Sequence, residues 1–297
     1  MRARHVLPAF AALAALVLTG CVDNSTPTTA DKSGDSAIGD VAVDKAAAAL
    51  LPADTAKEGA LVIGTSPNYA PNEFKNDAGE PIGWTIELGD ALAAKLGLKA
   101  EYTIANFENI IPNIVGGNID VGASSFTDNP ERQKQVDFVN YYTAGVQWAS
   151  AVGKTVDPDD ACGLRVAVQA TTFQDTVEIP EKSAACVAAG KAPIEKVALD
   201  TQDAAANAVA LGQADAFSAD SPVTLYGIEK LKGKLQAAGK TFDAAPYGLA
   251  VAKDSEMAEA VQAALQSMVD DGTYAKILDA WGVSDGGLDT ITINAGA

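Results

Sequence analysis

Histidine occurs once in the 297 residues, at His5, and arginine four times, two of them beside it as Arg2 and Arg4. Once that N-terminal segment is cleaved, the chain holds no histidine and only Arg132 and Arg165. Ser-His-Asp and Cys-His catalysis are then excluded, as is a His-based zinc site. Positive charge is scarce throughout: 21 Lys and Arg stand against 39 Asp and Glu, a formal charge of −18 with a pI of 4.3. Such a surface argues against nucleic acid or an anionic membrane face as partner, since both need clustered basic groups. A small anionic ligand stays possible, because one arginine in a pocket acts locally. Beyond the first twenty residues no run is apolar enough to span a bilayer. Length alone suggests two domains, with ample chain for a core.

The N-terminus reads as an address. Arg2 and Arg4 precede an apolar run from Val6 to Leu18, too short for a membrane span and suited to a signal peptide. Leu18-Thr19-Gly20-Cys21 resembles a bacterial lipobox, in which Cys21 becomes the lipid-bearing first residue of the mature protein. The alternative is an ordinary signal peptide with a coincidental cysteine. The expected layout is a signal peptide over 1–20 and a lipidated flexible tether over 21–56. Asp23–Asp40 is the part most typical of a tether, and Val41–Leu51 is compatible with one short helix. The protein is expected to be exported and lipid-anchored to the outer face of the bacterial cytoplasmic membrane, at the cell surface or in the periplasm.

From Leu61 onward strands and helices alternate. Leu61–Gly64 is a short buried strand, and Trp84, Leu88, Leu92 and Leu96 form the apolar stripe of a helix stopped by Gly97. Strands follow at Ala100–Ile104 and Asp120–Ala123, with the helical Asn109–Val115 between them. Val166–Val168 and Lys196–Leu199 begin a second series, which continues through a helix at Ala204–Leu211 and a strand at Asp215–Ala219. Tyr247–Ala252 is one more strand and Met257–Met268 a helix. This alternation predicts an α/β fold of mainly parallel sheets flanked by helices. Cys162, just before one strand, and Cys186, late in the following helical segment, suit a disulfide worth roughly 3–4 kcal/mol. Free buried thiols and a metal pair are the alternatives.

Three segments carry groups suited to binding. Ser124-Ser125-Phe126-Thr127 follows a strand, and Arg132 comes five residues after Thr127. A guanidinium beside hydroxyls can grip a carboxylate bidentately. It can equally be a surface arginine paired with Glu131 or Asp137. Asp220 ends a strand before Pro222, where it can accept from an ammonium group or form an Asx turn. Ala170-Thr171-Thr172-Phe173 opens a helical segment, where it can bind an anion or merely cap the helix. Trp148 fits a pocket wall and a core position equally.

Five stretches in order, from about Ala60 to Gly282, resemble the bacterial extracellular solute-binding proteins for polar amino acids, the periplasmic-binding-protein-like receptors of ABC importers. They are Gly64–Pro71, Phe107–Pro112, Ser124–Arg132 with Val136-Asp137-Phe138, Ala214–Pro222, and Tyr247–Lys253. The resemblance implies a two-lobed type II fold with two hinge strands, lobe one being 57–149 plus 248–297 and lobe two 150–247. It implies a free amino acid in the cleft and ABC permease subunits as partners, with a monomeric chain, no cofactor and no metal. Arg132 would hold the α-carboxylate, helped by Ser124, Ser125 and Thr127, and Asp220 the α-ammonium. Tyr69 and Phe107 would sandwich the side chain, and Thr171, Thr172 and Phe173 would reach the carboxylate.

Some positions depart from the pattern. Ser66 stands where relatives binding basic amino acids often carry Asp, and Asn72 replaces a Phe. Both favour an uncharged or acidic ligand side chain. Thr171 replaces a Gly, and Asp128-Asn129 an apolar-Thr pair. No catalysis is expected. Two other readings stay open. One is an enzyme resembling cyclohexadienyl dehydratase, recruiting Glu73, Glu87, Asp128 or Asp220. The other is an extracellular amino-acid sensor acting in trans.

Overall fold

The computed structural model describes residues 41–296. The signal segment, Cys21 and Asp23–Asp40 lie outside the described residues. Two short helices, α1 (Lys45–Ala48) and α2 (Ala53–Glu58), precede β1 (Ala60–Thr65). A small hairpin, β2 (Phe74–Lys75) and β3 (Pro81–Ile82), leads to α3 (Trp84–Lys95), β4 (Lys99–Ile104), α4 (Phe107–Val115) and β5 (Val121–Thr127). The one-turn α5 (Pro130–Gln133) opens onto β6 (Val136–Ala151). Then come β7 (Arg165–Gln169), a π-helical turn Gln174–Glu178, α6 (Ile179–Ala188), β8 (Glu195–Leu199) and α7 (Gln202–Ala210). After β9 (Ala216–Asp220) and α8 (Ser221–Lys230), the chain returns through β10 (Leu235–Ala252) to α9 (Met257–Asp270), α10 (Thr273–Trp281) and β11 (Thr292–Ile293).

One sheet joins the strands in the order β4-β1-β5-β10-β6-β9-β7-β8, with β11 pairing β6. At one end β4, β1 and β5 are mutually parallel, and at the other β9, β7 and β8 are. The 16-residue β6 and 18-residue β10 run antiparallel between these two sets. The expected α/β alternation is therefore present, but the expected Tyr247–Ala252 strand is only the end of β10. Both long strands carry register shifts midway, at Ala238/Phe242 and Phe242/Ala245, where the ladder bends between the two halves.

Local chemistry accounts for the elements that reach the cleft. In α3, Trp84, Leu88 and Leu92 are fully buried, and Gly97 ends the helix in the left-handed region at φ 71°. Strand β5 is buried at all seven positions, since it is covered on both faces. It runs four residues past the expected Ala123, so Ser124, Ser125 and Thr127 belong to the strand and not to a turn after it. Asn129 caps α5 by accepting the Arg132 amide at 3.0 Å, and Pro130 supplies a preset φ at its first turn.

The segment 41–56, assigned to the tether on composition, packs onto the body instead. Asp44 caps α1, its own amide reaches the Lys95 carbonyl at 2.9 Å, and Ala47 is buried in the main core. That core lies among α3, α9 and α10 in the first half; in the second, one cluster surrounds Phe217 and Val209 and another Trp148 and Val168. Cys162 and Cys186 are joined in a disulfide, with Cα atoms 5.5 Å apart, clamping the start of β7 to α6. Among the described residues no helix is long and apolar enough to cross a membrane.

Candidate functional site

The C-terminal ends of β1 and β5 meet those of β7 and β9 across a cavity. Ser66 and Tyr69 line it from the loop after β1, with Ser124, Ser125 and Thr127 from β5 and Phe107 from the start of α4. Arg132 enters from α5. The second half contributes Thr172, Phe173 and Asp220. These are the groups expected from the sequence, from segments far apart along the chain.

The alternative pairing of Arg132 with Glu131 or Asp137 is not formed. Glu131 is paired with Lys134, and Asp137 with Lys253 at 2.6 Å, so neither carboxylate reaches the guanidinium. Its Nη1 donates to the Thr127 carbonyl at 2.8 Å and its Nη2 to the Thr171 carbonyl, from the other half, at 3.1 Å. Its carbon lies 5.4 Å from the Phe107 ring centre and 5.5 Å from that of Phe126, and these two rings stack on each other. Loss of hydration lowers its pKa to about 10, against the opposing pull of Asp220. The other arginine outside the N-terminal segment, Arg165, is already paired with Asp215 at 3.1 Å.

Asp220 is the opposite pole. Its Oδ2 accepts the hydroxyls of Tyr247 at 2.7 Å and Tyr69 at 2.9 Å, and its Oδ1 accepts Gln174 Nε2 at 2.8 Å. All three donors are neutral. Burial raises its pKa, and these hydrogen bonds together with Arg132 offset part of that rise.

A second carboxylate stands in the same cavity. Glu73 is fully buried; its Oε2 accepts the Ser125 hydroxyl at 3.0 Å and its Oε1 that of Ser124 at 3.4 Å. Burial pushes its pKa up to about 8, despite those hydroxyls. The loop that carries it is held by Asn72, which donates to Ser125 Oγ at 2.9 Å and accepts Trp84 Nε1 at 2.8 Å. Gly83 packs its backbone against Asn72 so closely that a Cβ would come within 2.1 Å of the Asn72 carbonyl oxygen. Ser125 itself holds φ of 50°, a strained conformation for a residue with a Cβ.

Residues 61–284 match the profile of the bacterial extracellular solute-binding proteins, family 3. The chain belongs to that family. This family 3 protein is 41% identical over 248 residues to the arginine-binding protein ArgT of Corynebacterium glutamicum, covering 83% of this chain and 82% of ArgT. It is 29% identical to a glutamine-binding protein, GlnH, of Bacillus subtilis, over 74% of this chain and 80% of GlnH. Among solved structures, an ancestral arginine-binding protein bound to arginine superposes with a TM-score of 0.69 at 32% identity, covering 75% of this chain and 98% of that one. An ancestral amino-acid-binding protein, a precursor of cyclohexadienyl dehydratase, gives 0.66 at 29% identity, covering 77% and 97%. The relatives named here are amino-acid-binding proteins, and the two-lobed fold is theirs as well.

Of the ligand residues expected in this family 3 protein, all but Thr171 line the cavity. Thr171 faces outward with φ of 63°, its amide donating to Asp175 at 2.8 Å and its carbonyl accepting Arg132. The Thr172 hydroxyl is spent locally, donating to the Gln169 carbonyl at 2.7 Å. Trp148 is a core residue, fully buried and donating to Glu178 at 2.7 Å. Three lining residues were not expected as ligand contacts: Glu73, Gln169 and Gln174. Gln174 lies four residues beyond Ala170 in the π-helical turn, a place that no spacing rule marks.

Proposed function

We propose that this chain is the substrate-binding lipoprotein of an ABC importer, anchored through Cys21, and that it captures a basic L-amino acid, arginine first, between two closing lobes. The lobes are the halves joined by β6 and β10, approximately 57–149 with 248–297 and 150–247. Arg132 takes the α-carboxylate with Thr127 and Ser124, and Asp220 takes the α-ammonium. Tyr69 and Phe107 flank the side chain. Contacts to both lobes form only when the cleft is shut, so the ligand favours the closed state by its differential affinity.

The observation that carries the basic side chain is the charge of the cavity. Its lining holds one cation, Arg132, and two carboxylates, Asp220 and Glu73. A zwitterionic backbone balances Arg132 and Asp220 and leaves Glu73 over. The Glu73 pKa of about 8 keeps that carboxyl largely protonated until a cation draws it into the ionised form. A guanidinium or ammonium side chain completes the pairing, and charge-assisted bonds in such a site are strong. Ser66 pointed away from a basic ligand because it carries no carboxylate. Glu73, seven residues on, supplies one from the same loop. The names of the relatives that bind arginine support the same choice.

A thermal-shift screen of the twenty amino acids, followed by calorimetry, tests this. Stabilisation by arginine or lysine above all others is the expected result. A protein that prefers glutamine or glutamate overturns the choice of side chain but not the receptor. The raised pKa of Glu73 also suits a general acid, so an enzyme of the same fold is the second reading. Turnover of prephenate-like substrates by purified protein would establish it.

A further inference from the structure

Four residues before Arg132 stands a buried carboxylate, Asp128, that does not line the cavity. Asp128 is 2% exposed, and three neutral groups converge on its carboxylate. Gln133 Nε2 donates to Oδ1 at 2.6 Å, while Asn140 Nδ2 and the Gly296 amide donate to Oδ2 at 2.9 Å each. The backbone amide of Asp128 donates in turn to Pro246 in β10 at 2.9 Å. One residue thereby ties together α5, both long strands and the segment after β11.

Its position in the chain gives this clamp a consequence. Asp128 lies between the two residues that hold Arg132: Thr127, whose carbonyl accepts Nη1 at 2.8 Å, and Asn129, whose side chain accepts the Arg132 amide at 3.0 Å. The closing segment is seated closely. The Ala295 amide reaches Asn140 Oδ1 at 3.0 Å, and a Cβ on Gly296 would meet the Asp128 carbonyl oxygen at 2.1 Å. The Asp-Asn pair before Pro130, which departs from the family's apolar-Thr pattern, thus has its own set of partners in this chain.

We propose that Asp128, clamped by the closing segment Asn294–Gly296, is a positioning residue that sets Arg132 at the ligand's α-carboxylate. The proposal rests on the assignment of Arg132 to that carboxylate. A displaced guanidinium loses a bidentate grip that depends on alignment.

The test compares L-arginine with L-argininamide, in which an uncharged amide replaces the carboxylate, by calorimetry and competition. The native protein should prefer L-arginine. In Asp128→Ala, and in a variant lacking residues 294–297, affinity for L-arginine should fall by about tenfold while that for L-argininamide holds within about twofold. A loss shared equally by the two compounds, or a preference kept in the folded variants, overturns the proposal. If Asp128→Ala does not fold, the shortened variant alone decides. A native protein with no preference between the compounds overturns the Arg132 assignment, and the proposal with it. One that binds neither overturns the basic-ligand reading, and the comparison then uses the best amino acid of the screen and its amide.

Discussion

The Tyr69 hydroxyl donates to Asp220 Oδ2 at 2.9 Å and accepts the Asp220 backbone amide at 3.2 Å, across 151 positions of sequence. A single phenol so engages both the side chain and the main chain of the residue assigned to the ligand ammonium. Tyr247, from β10, reaches the same carboxylate oxygen at 2.7 Å. The carboxylate assigned to the ammonium is therefore organised by groups from one half, the other half and the strand between them.

Removing these groups should have graded effects. Asp220→Asn leaves the ligand ammonium without its counter-charge, and affinity should fall by about 3 kcal/mol. Tyr69→Phe removes both hydrogen bonds of the hydroxyl, to Asp220 Oδ2 and from the Asp220 amide, and should cost about 1–2 kcal/mol. Calorimetry of both variants with the preferred amino acid checks the order; an equal loss in the two would contradict it.

Arg132→Ala removes the cation and leaves the ligand carboxylate facing carbonyls and rings. A loss of several kcal/mol, about 3 or more, is expected. Arg132→Lys keeps the charge but not the fork, so it should recover only part of that loss. Unchanged binding in Arg132→Ala would refute the carboxylate assignment.

Glu73 makes arginine binding depend on pH. With its pKa near 8 before the ligand arrives, the carboxyl is largely protonated at pH 6 to 7. A cationic side chain favours the ionised form, so binding in that range releases a proton. Affinity for arginine should therefore rise with pH toward about 8, by at most about tenfold per unit. Glutamine, with no charge to pair, should show a weaker dependence, and the difference isolates Glu73 from Asp220. Calorimetry in buffers of different ionisation enthalpy measures the proton directly. Glu73→Gln should abolish the difference between the two ligands.

Rarity narrowed the candidates: with Arg2 and Arg4 in the expected signal segment, Arg132 and Arg165 were the arginines left to consider. Spacing alone left Arg132 open between a pocket cation and a surface arginine, and Asp220 between an ammonium partner and an Asx turn; the family resemblance gave both their binding role. The hinge was not legible from local pattern. Strands β6 and β10 are defined by their mutual pairing over 84 to 116 positions of sequence, and the burial of β6 on both faces erases the alternation that marks a strand. Glu73 was named only among carboxylates an enzyme could recruit and not as a ligand contact, since its place depends on Asn72 and Gly83 folding the loop inward. One of the three partners of Asp128, the Gly296 amide, lies 168 residues away, beyond any local pattern.

A second buried carboxyl lies outside the cavity and makes a separate prediction. Glu178, on the π-helical turn that also bears Gln174, accepts Trp148 Nε1 at 2.7 Å and the Ser218 hydroxyl at 2.6 Å. Burial raises its pKa to about 7, with Lys182 and the two donors opposing the rise and Asp243 adding to it. In the unfolded chain the group titrates near the ordinary glutamate value of about 4.3. Its contribution to stability is thus complete below that value and lost as pH rises through about 7, where the folded protein must ionise a group the unfolded chain ionised earlier. Glu73 has the same sign, so the ligand-free protein should lose stability between pH 5 and 8, by the order of 2 kcal/mol for each group. Glu178→Gln keeps an acceptor and cannot ionise, so it should remove one share of that slope while leaving arginine affinity within a few fold. Thermal midpoints of the native protein and the variant across this pH range, without ligand, make the comparison. An equally steep fall in both would mean that Glu178 is already ionised in the fold, and that Trp148 donates to a carboxylate at every pH in the range.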